Sequence, residues 1–576
     1  MVAAAVAVIA LGAIGPGAVA HDGPDLEVRP ITFEVVDGPA DDQRVRLDAT
    51  VYVPSGATST PAPVVVLAHG FGGDKDDLDA LARQTAHHGY VALAYSARGF
   101  GRSTGAIGLN SLDYDVKDVR QIVDALAEMP EVALDGPGDP RIGLTGSSYG
   151  GGIALMAATQ DPRVDAIAPR ITWSSLAYSL APNDLAASPD ASDLGVDLAP
   201  GGVLKDQWLR IFFGIGSLQP FGDVREPAAL AGLVGRPTCA GFVPEVCRAY
   251  VASVVAGEPT RSMRAVLERS SPSAFLHDLD AATFLVQGQD DTLFNLTESA
   301  RTYSAVLDNG APVKLLWHRG GHSGPFAPGE VDVGLDPDDV VNSRILTWWD
   351  RWLADDPAAD TGPGFETFLG HDGDRPVYAS APSFPPLADA TRYLSGDGMV
   401  VGSPTDVVTG RSNFVTPALG VPAAYSETAG LQRGLPVPAF DLPGQHVAWE
   451  TGPFDTETTL VGVPRLVDLD VSTTSGAAWF FAKLYDVGPD GVATLIRRQV
   501  SPVRADDLSA PIDVVLPGVS EVVGAGHRLR VVLAATDAAY ANRRLPDTTT
   551  ITVDPERPPR LLLPVGQLDV LPQTPR

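Results

Sequence analysis

The sequence predicts an α/β protein followed by an all-β C-terminal domain. Three observations carry this expectation. Between about residues 64 and 169, short continuous apolar runs alternate with helical segments, which implies a parallel sheet covered on both faces. From Ile171 to Ser271 strand-like runs stop, and aromatic-bearing stretches such as Trp173–Leu180 and Lys205–Phe213 take their place. Beyond about Asp355 helical periodicity is absent, and proline and glycine recur among alternating or continuous strand runs.

The elements follow in order. Val2–Ile14 is an apolar core, Gly15-Pro16-Gly17 breaks it, and Ala18-Val19-Ala20 fits a small-x-small cleavage site. Residues 1–20 are therefore expected to be an export signal cleaved after Ala20, giving a secreted protein, although no Lys or Arg precedes the apolar core. The run is short for a membrane span. Ile31–Val36 and Arg44–Val53 read as strands around an Asp/Gly turn. Strands at Val64–Ala68, Val91–Tyr95, Arg141–Thr145 and Val164–Pro169 alternate with helices at Asp76–His88, Asp115–Glu128 and Gly150–Ala158. A helical cap is expected at about residues 171–276. The sheet resumes at Thr283–Gln287 and Val313–Trp317, and a helix at Val340–Leu353 closes the domain with Trp348, Trp349 and Trp352 as core packing. The expected catalytic domain spans 21–355. The rest, 356–576, reads as a sandwich or jelly roll from Arg465–Val471, Trp479–Val487 and Arg528–Ala534, with Pro489-Asp490-Gly491 as a turn.

At 576 residues and a net charge of −30, the chain is long enough for two or three domains and disfavours nucleic acid and anionic membrane as partners. Its two cysteines, Cys239 and Cys247, are expected to form a local disulfide in an exported protein. No metal spacing is recognisable, and no cofactor is expected.

Gly146-Ser147-Ser148-Tyr149-Gly150 fits Gly-x-Ser-x-Gly, the nucleophile elbow of α/β-hydrolases, between a strand and a small-residue helix. A second match, Gly101-Arg102-Ser103-Thr104-Gly105, stands in a loop with no apolar helix after it, so Ser103 reads as a turn residue. A serine hydroxyl needs a base, and the base needs an orienting acid; in this fold they follow in the order Ser, Asp or Glu, His. Phe284–Gly288 is a strand with Asp290 and Asp291 beyond it, and the Gly-x-x-Asp spacing selects Asp291. Beyond the next strand, His318 stands at its end and His322 follows a flexible Gly-Gly, which selects His322. The oxyanion hole is expected from the backbone N–H of Tyr149 and of Phe71, the latter in His69-Gly70-Phe71-Gly72-Gly73.

With Gly-x-Ser-Tyr-Gly-Gly, Gly-x-x-Asp, Gly-Gly-His, the loop Arg98-Gly99-Phe100-Gly101-Arg102-Ser103 and β segments such as Leu460–Pro464 and Gly526–Arg530, the chain resembles the X-Pro dipeptidyl-peptidase and cocaine-esterase-like α/β-hydrolases. The resemblance covers nearly the whole mature chain. It implies an α/β-hydrolase domain with an inserted helical cap, then a jelly-roll (galactose-binding-like) domain that helps shape the acyl pocket. Members such as cocaine esterase take one oxyanion donor from a tyrosine hydroxyl where this chain has His69-Gly70-Phe71, so a backbone donor is expected here. The expected function is a secreted serine hydrolase of esters or amides, acting on a small molecule or short peptide through an acyl-enzyme. An X-Pro dipeptidyl-peptidase competes with a cocaine-esterase-type carboxylesterase or acylase. A non-catalytic glycan- or wall-binding protein is the alternative from another class. Trp173 is a candidate substrate contact, and Asp184, Asp190 and Asp193 are candidates to hold a substrate amine. Oligomeric state is not legible.

Overall fold

The computed structural model describes residues 26–186, 201–219, 239, 241–327, 330, 339–373, 375–420, 422, 424–425 and 440–571. The expected export segment, and Asp190 and Asp193, lie outside them. No helix among the described residues is long and apolar enough to cross a membrane.

Ten segments build the first sheet: β1 (Leu26–Asp37), β2 (Gln43–Pro54), β3 (Val64–Ala68), β4 (Val91–Tyr95), β5 (Ile142–Ser147), β6 (Val164–Arg170), β7 (Ala282–Gly288), β8 (Val313–His318), β9 (Phe365–Asp372) and β10 (Arg375–Ala381). Their spatial order is β1-β2-β4-β3-β5-β6-β7-β8-β9-β10, with Asp569–Val570 added at the far edge. Pairing is parallel from β4 through β9. β3 and β4 are buried at every position, as continuous apolar runs covered by helices on both faces must be.

Among the described residues the α-helices are α1 (Asp79–His87), α2 (Asp115–Ala127), α3 (Tyr149–Gln160), α4 (Leu176–Leu180), α5 (Asp206–Leu218), α6 (Pro244–Ala256), α7 (Arg261–Glu268), α8 (Leu296–Asn309) and α9 (Val340–Trp352). The expected first helix begins as a tight turn at Lys75–Leu78, capped by Asp74 accepting the N–H of Asp76, and becomes α-helical only at Asp79. α4 to α7 fall in the cap region between β6 and β7. Trp348 and Trp349 of α9 are buried in the sheet's core, as expected.

The sheet does not end at residue 355, where the expected catalytic domain stops. β9 pairs parallel with β8, and its Phe365 and Thr367 are fully buried. The strands expected in the C-terminal part begin only at Arg465, and which sheet a segment joins is a non-local hydrogen-bonding choice.

Among the described residues, fourteen further C-terminal strands form a mostly antiparallel network, a β-sandwich whose core holds Phe414, Trp449, Phe480 and Leu529, while Ala424–Tyr425 pairs separately with Phe440–Asp441. The expected strands appear as Arg465–Thr473, Ala478–Val487 and Arg528–Ala534. Pro489-Asp490-Gly491 turns the chain from Ala478–Val487 into Ala493–Leu495, with Gly491 at φ 84°. The cap is tied to this domain: Asp184 N–H donates to Pro502 O, and Val515 N–H donates to Asp184 O.

Candidate active site

β5 ends at Ser147, and α3 starts at Tyr149. Between them Ser148 takes φ 57°, ψ −116°, a conformation that costs a non-glycine residue about 1–3 kcal/mol and persists only where packing enforces it. The enforcing contacts are close. A Cβ on Gly146 or Gly150 would strike the carbonyl of Ala68 in β3, so glycine there lets strand and helix meet at the turn.

His322 follows β8, and Asp291 follows β7. His322 Nε2 lies 2.8 Å from Ser148 Oγ, and His322 Nδ1 lies 2.6 Å from Asp291 Oδ2. Asp291 Oδ1 accepts the N–H groups of Leu293 and Phe294 at 3.0 and 2.8 Å. The Asp291 side chain is fully buried and that of His322 is 11 % exposed, so the contact is largely shielded from water. Gly321, at φ 154°, lies where a Cβ would meet Asp291 Cβ at 2.7 Å, so the second glycine of the pair allows the two loops to approach.

The residues set aside on sequence fall elsewhere. Ser103 Oγ donates to Ser96 O at 2.6 Å and accepts the N–H of Asp48 at 2.9 Å, a turn role. Asp290 pairs with Arg497 at 3.2 Å. His318 is buried and stacks on Phe326; burial, with Arg170 nearby, pushes its pKa down to about 3, so it stays neutral.

The two expected oxyanion donors belong to peptide units whose carbonyls are each held twice. Ser148 O accepts the Thr172 hydroxyl at 2.9 Å and the N–H of Gly152 at 3.0 Å. Gly70 O accepts the N–H of Gly73 at 3.0 Å and a proton from His69 Nδ1 at 2.8 Å. His69 Nε2 accepts the N–H of Ala97 at 2.9 Å, which leaves the proton of a neutral ring on Nδ1; burial holds this histidine below its usual pKa. Because a trans peptide is planar, pinning each carbonyl aims the N–H of Tyr149 and of Phe71 the opposite way. Among the described residues, neither N–H bonds another group.

Rings close over the site. Trp208 of α5 and Phe294 stand edge-on to His322, at centroid distances of 6.0 and 5.2 Å. Phe212, one turn along α5, meets Phe71 at 5.2 Å. Lys205, just before α5, donates to the carbonyls of Thr292 and Leu293 at 2.7 and 2.9 Å, which ties the cap to the Asp291 loop. Trp208 lies within an aromatic stretch visible in the sequence, but nothing there says which ring reaches the histidine.

Trp173, the candidate substrate contact, has its ring centroid 5.0 Å from that of Phe294. It is buried at 3 % exposure, its indole N–H donates to Ser270 O at 2.7 Å, and its ring fills the space a Cβ on Gly152 would need. It packs between the cap and α3. Asp184 is 1 % exposed and accepts the Tyr178 hydroxyl at 2.8 Å; burial raises its pKa to about 7. Cys239 and Cys247 are joined as a disulfide within the cap. Among the described residues, no group of three or more His, Cys, Asp or Glu side chains is arranged to hold a metal ion.

Known proteins match this architecture at both ends. The X-Pro dipeptidyl-peptidase (S15 family) description matches residues 37–207, and the X-Pro dipeptidyl-peptidase C-terminal non-catalytic domain matches residues 437–567. The chain belongs to the X-Pro dipeptidyl-peptidase (S15) family. In this chain the α/β-hydrolase fold is joined to a β-sandwich. The fold is shared with an α-amino acid ester hydrolase at a TM-score of 0.65 and 16 % identity, over 96 % of this chain and 98 % of the other. A CocE/NonD family hydrolase from Staphylococcus aureus matches at a TM-score of 0.60 and 13 % identity, over 94 % of this chain and 96 % of the other. By sequence, an uncharacterized protein of Pseudomonas aeruginosa is 32 % identical over 25 % of this chain and 36 % of its own length. The quorum-quenching protein AidA of Acinetobacter baumannii is 29 % identical over 22 % of this chain and 40 % of its own length. The match thus spans only about two-fifths of these curated relatives.

Proposed function

We propose that this protein is a serine hydrolase that cleaves an ester or amide through an acyl-enzyme, with Ser148 as nucleophile. His322 takes the serine proton as Ser148 Oγ attacks the carbonyl carbon, then gives it to the leaving group. Asp291 holds the imidazole in the required tautomer and offsets the charge that forms on it. The N–H groups of Phe71 and Tyr149 receive the oxyanion. Water, activated by the same histidine, then releases the acid. The observation that carries this reading is the continuous contact Ser148 Oγ, His322 Nε2, His322 Nδ1, Asp291 Oδ2, at 2.8 and 2.6 Å. We further propose that the protein is exported, with a small ester, amide or short peptide as substrate.

An X-Pro dipeptidyl-peptidase needs an anion to hold the substrate's free amine. Asp184 is engaged by Tyr178 and buried, which makes it a poor amine anchor. The rings of Trp208, Phe212 and Phe294 instead favour an apolar acyl group, and this supports the carboxylesterase reading beside the peptidase one. A fluorophosphonate probe should label wild type and Ser103→Ala but not Ser148→Ala. Labelling of folded Ser148→Ala at the wild-type rate would sink the reading. A panel of aryl esters against Xaa-Pro-arylamides separates the two substrate classes.

A further inference from the structure

The loop that carries Asp291 is gripped from outside its own domain. Gln499, in the β-sandwich, donates from Nε2 to the main-chain carbonyl of Asp291 at 2.9 Å, across 208 residues of sequence. Gln499 is 5 % exposed and Asp291 is fully buried, so little water is at hand to replace this bond. The residue before Asp291 is held from the same place: Arg497 Nη1 donates to Asp290 Oδ1 at 3.2 Å, while Arg497 Nε pairs with Glu521 at 2.9 Å.

The backbone that presents these side chains is bent to do so. Arg497 and Arg498 take φ 49° and 56°, two successive non-glycine residues in the left-handed region. Such residues persist only where the surroundings over-determine them. The bend carries the chain from Ala493–Leu495 to the strand Ser501–Ala505 and points Arg497 and Gln499 at the Asp290–Asp291 loop.

We infer that Gln499 is a positioning residue of the hydrolase site, supplied by the β-sandwich, which fixes the main chain of Asp291 so that its carboxylate meets His322. This rests on the reading of Ser148, His322 and Asp291 as the catalytic triad. Asp291 Oδ1 is already held by the amides of its own loop, and Oδ2 faces His322. Beside the Arg497–Asp290 contact, Gln499 supplies the bond from the β-sandwich that acts on the main chain of Asp291 itself. Without it the carboxylate can shift by a fraction of an ångström, and geometric errors of that order are costly in catalysis.

The test uses the full chain, with p-nitrophenyl acetate as substrate and active sites counted by fluorophosphonate stoichiometry. Gln499→Met keeps length and loses the donor; Gln499→Asn keeps the amide and loses reach. Each should lower kcat per labelled site by about tenfold or more with KM unchanged. A merely structural role would lower the labelled fraction and leave kcat per site intact, and that result would overturn the inference. The same substitutions in an Asp291→Asn background supply the decisive comparison. If Gln499 acts through Asp291, the further loss there should shrink to less than about threefold. An equal loss in both backgrounds refutes it. Wild-type kcat in Asp291→Asn alone would instead remove the triad reading, so the two failures are distinguishable.

Discussion

Ser148 shows how much one residue's surroundings must supply. Its carbonyl, not only its hydroxyl, is under control, because Thr172 and Gly152 fix the plane of the Ser148–Tyr149 peptide. Thr172→Val keeps shape and removes the hydroxyl donor. It should lower kcat by about tenfold, less than the 10²–10³ typical of losing an oxyanion donor outright, because Gly152 still holds the carbonyl. Steady-state kinetics with counted active sites would check this, and an unchanged kcat would show that Gly152 alone suffices.

At the scale of the element, α3 and α5 contrast. α3 opens with Gly150, Gly151 and Gly152, poor helix formers, yet it is buried along nearly its whole length. Close approach explains this: Gly150 has no room for a methyl against β3. Gly150→Ala should cost more than about 2 kcal/mol of stability through overpacking and forced backbone shift. Gly214, in the interior of α5, is exposed with no atom within 4 Å of an added Cβ. Gly214→Ala should stabilise by about 0.5–1 kcal/mol through helix propensity alone. Urea melts of both variants would test the contrast, and a neutral Gly150→Ala would show that the sheet yields there.

For the whole molecule, the junction between cap, hydrolase sheet and β-sandwich buries ionisable groups. Burial raises the carboxyl of Asp184 to about 7, well above its ordinary 3.8. A carboxyl raised in the folded state holds its proton there while the unfolded chain releases it. Its contribution therefore favours folding below about pH 4 and is lost as pH rises through about 7. Asp184→Asn keeps an oxygen for the Tyr178 hydroxyl and removes the titration. Relative to wild type, the variant should be about 2 °C more favourable in Tm at pH 8 than at pH 5. A calorimetric difference independent of pH would show that Asp184 does not titrate in this window.

Much of the chemistry was legible along the chain because it depends on local order. A strand, a small-residue helix and the residues between them define Ser148, and Asp291 and His322 each follow a strand in the order this fold requires. Ser103, Asp290 and His318 were separable by the same local context. The role of Trp173 was not, since an aromatic residue beside a site can line it or wedge its walls. Nor were Trp208, Phe294 and Gln499, whose roles are made across chain separations that carry no periodic signal. The sheet that β9 and β10 join was hidden for the same reason. Apolar periodicity and turn chemistry are properties of neighbours in sequence, so local order along the chain carries the fold class, the succession of elements and the choice of Ser148, Asp291 and His322 as the residues proposed to react. Only the tertiary structure decided which rings enclose His322, where the first sheet ends, and that the β-sandwich reaches the loop of Asp291, because those are contacts between segments hundreds of residues apart.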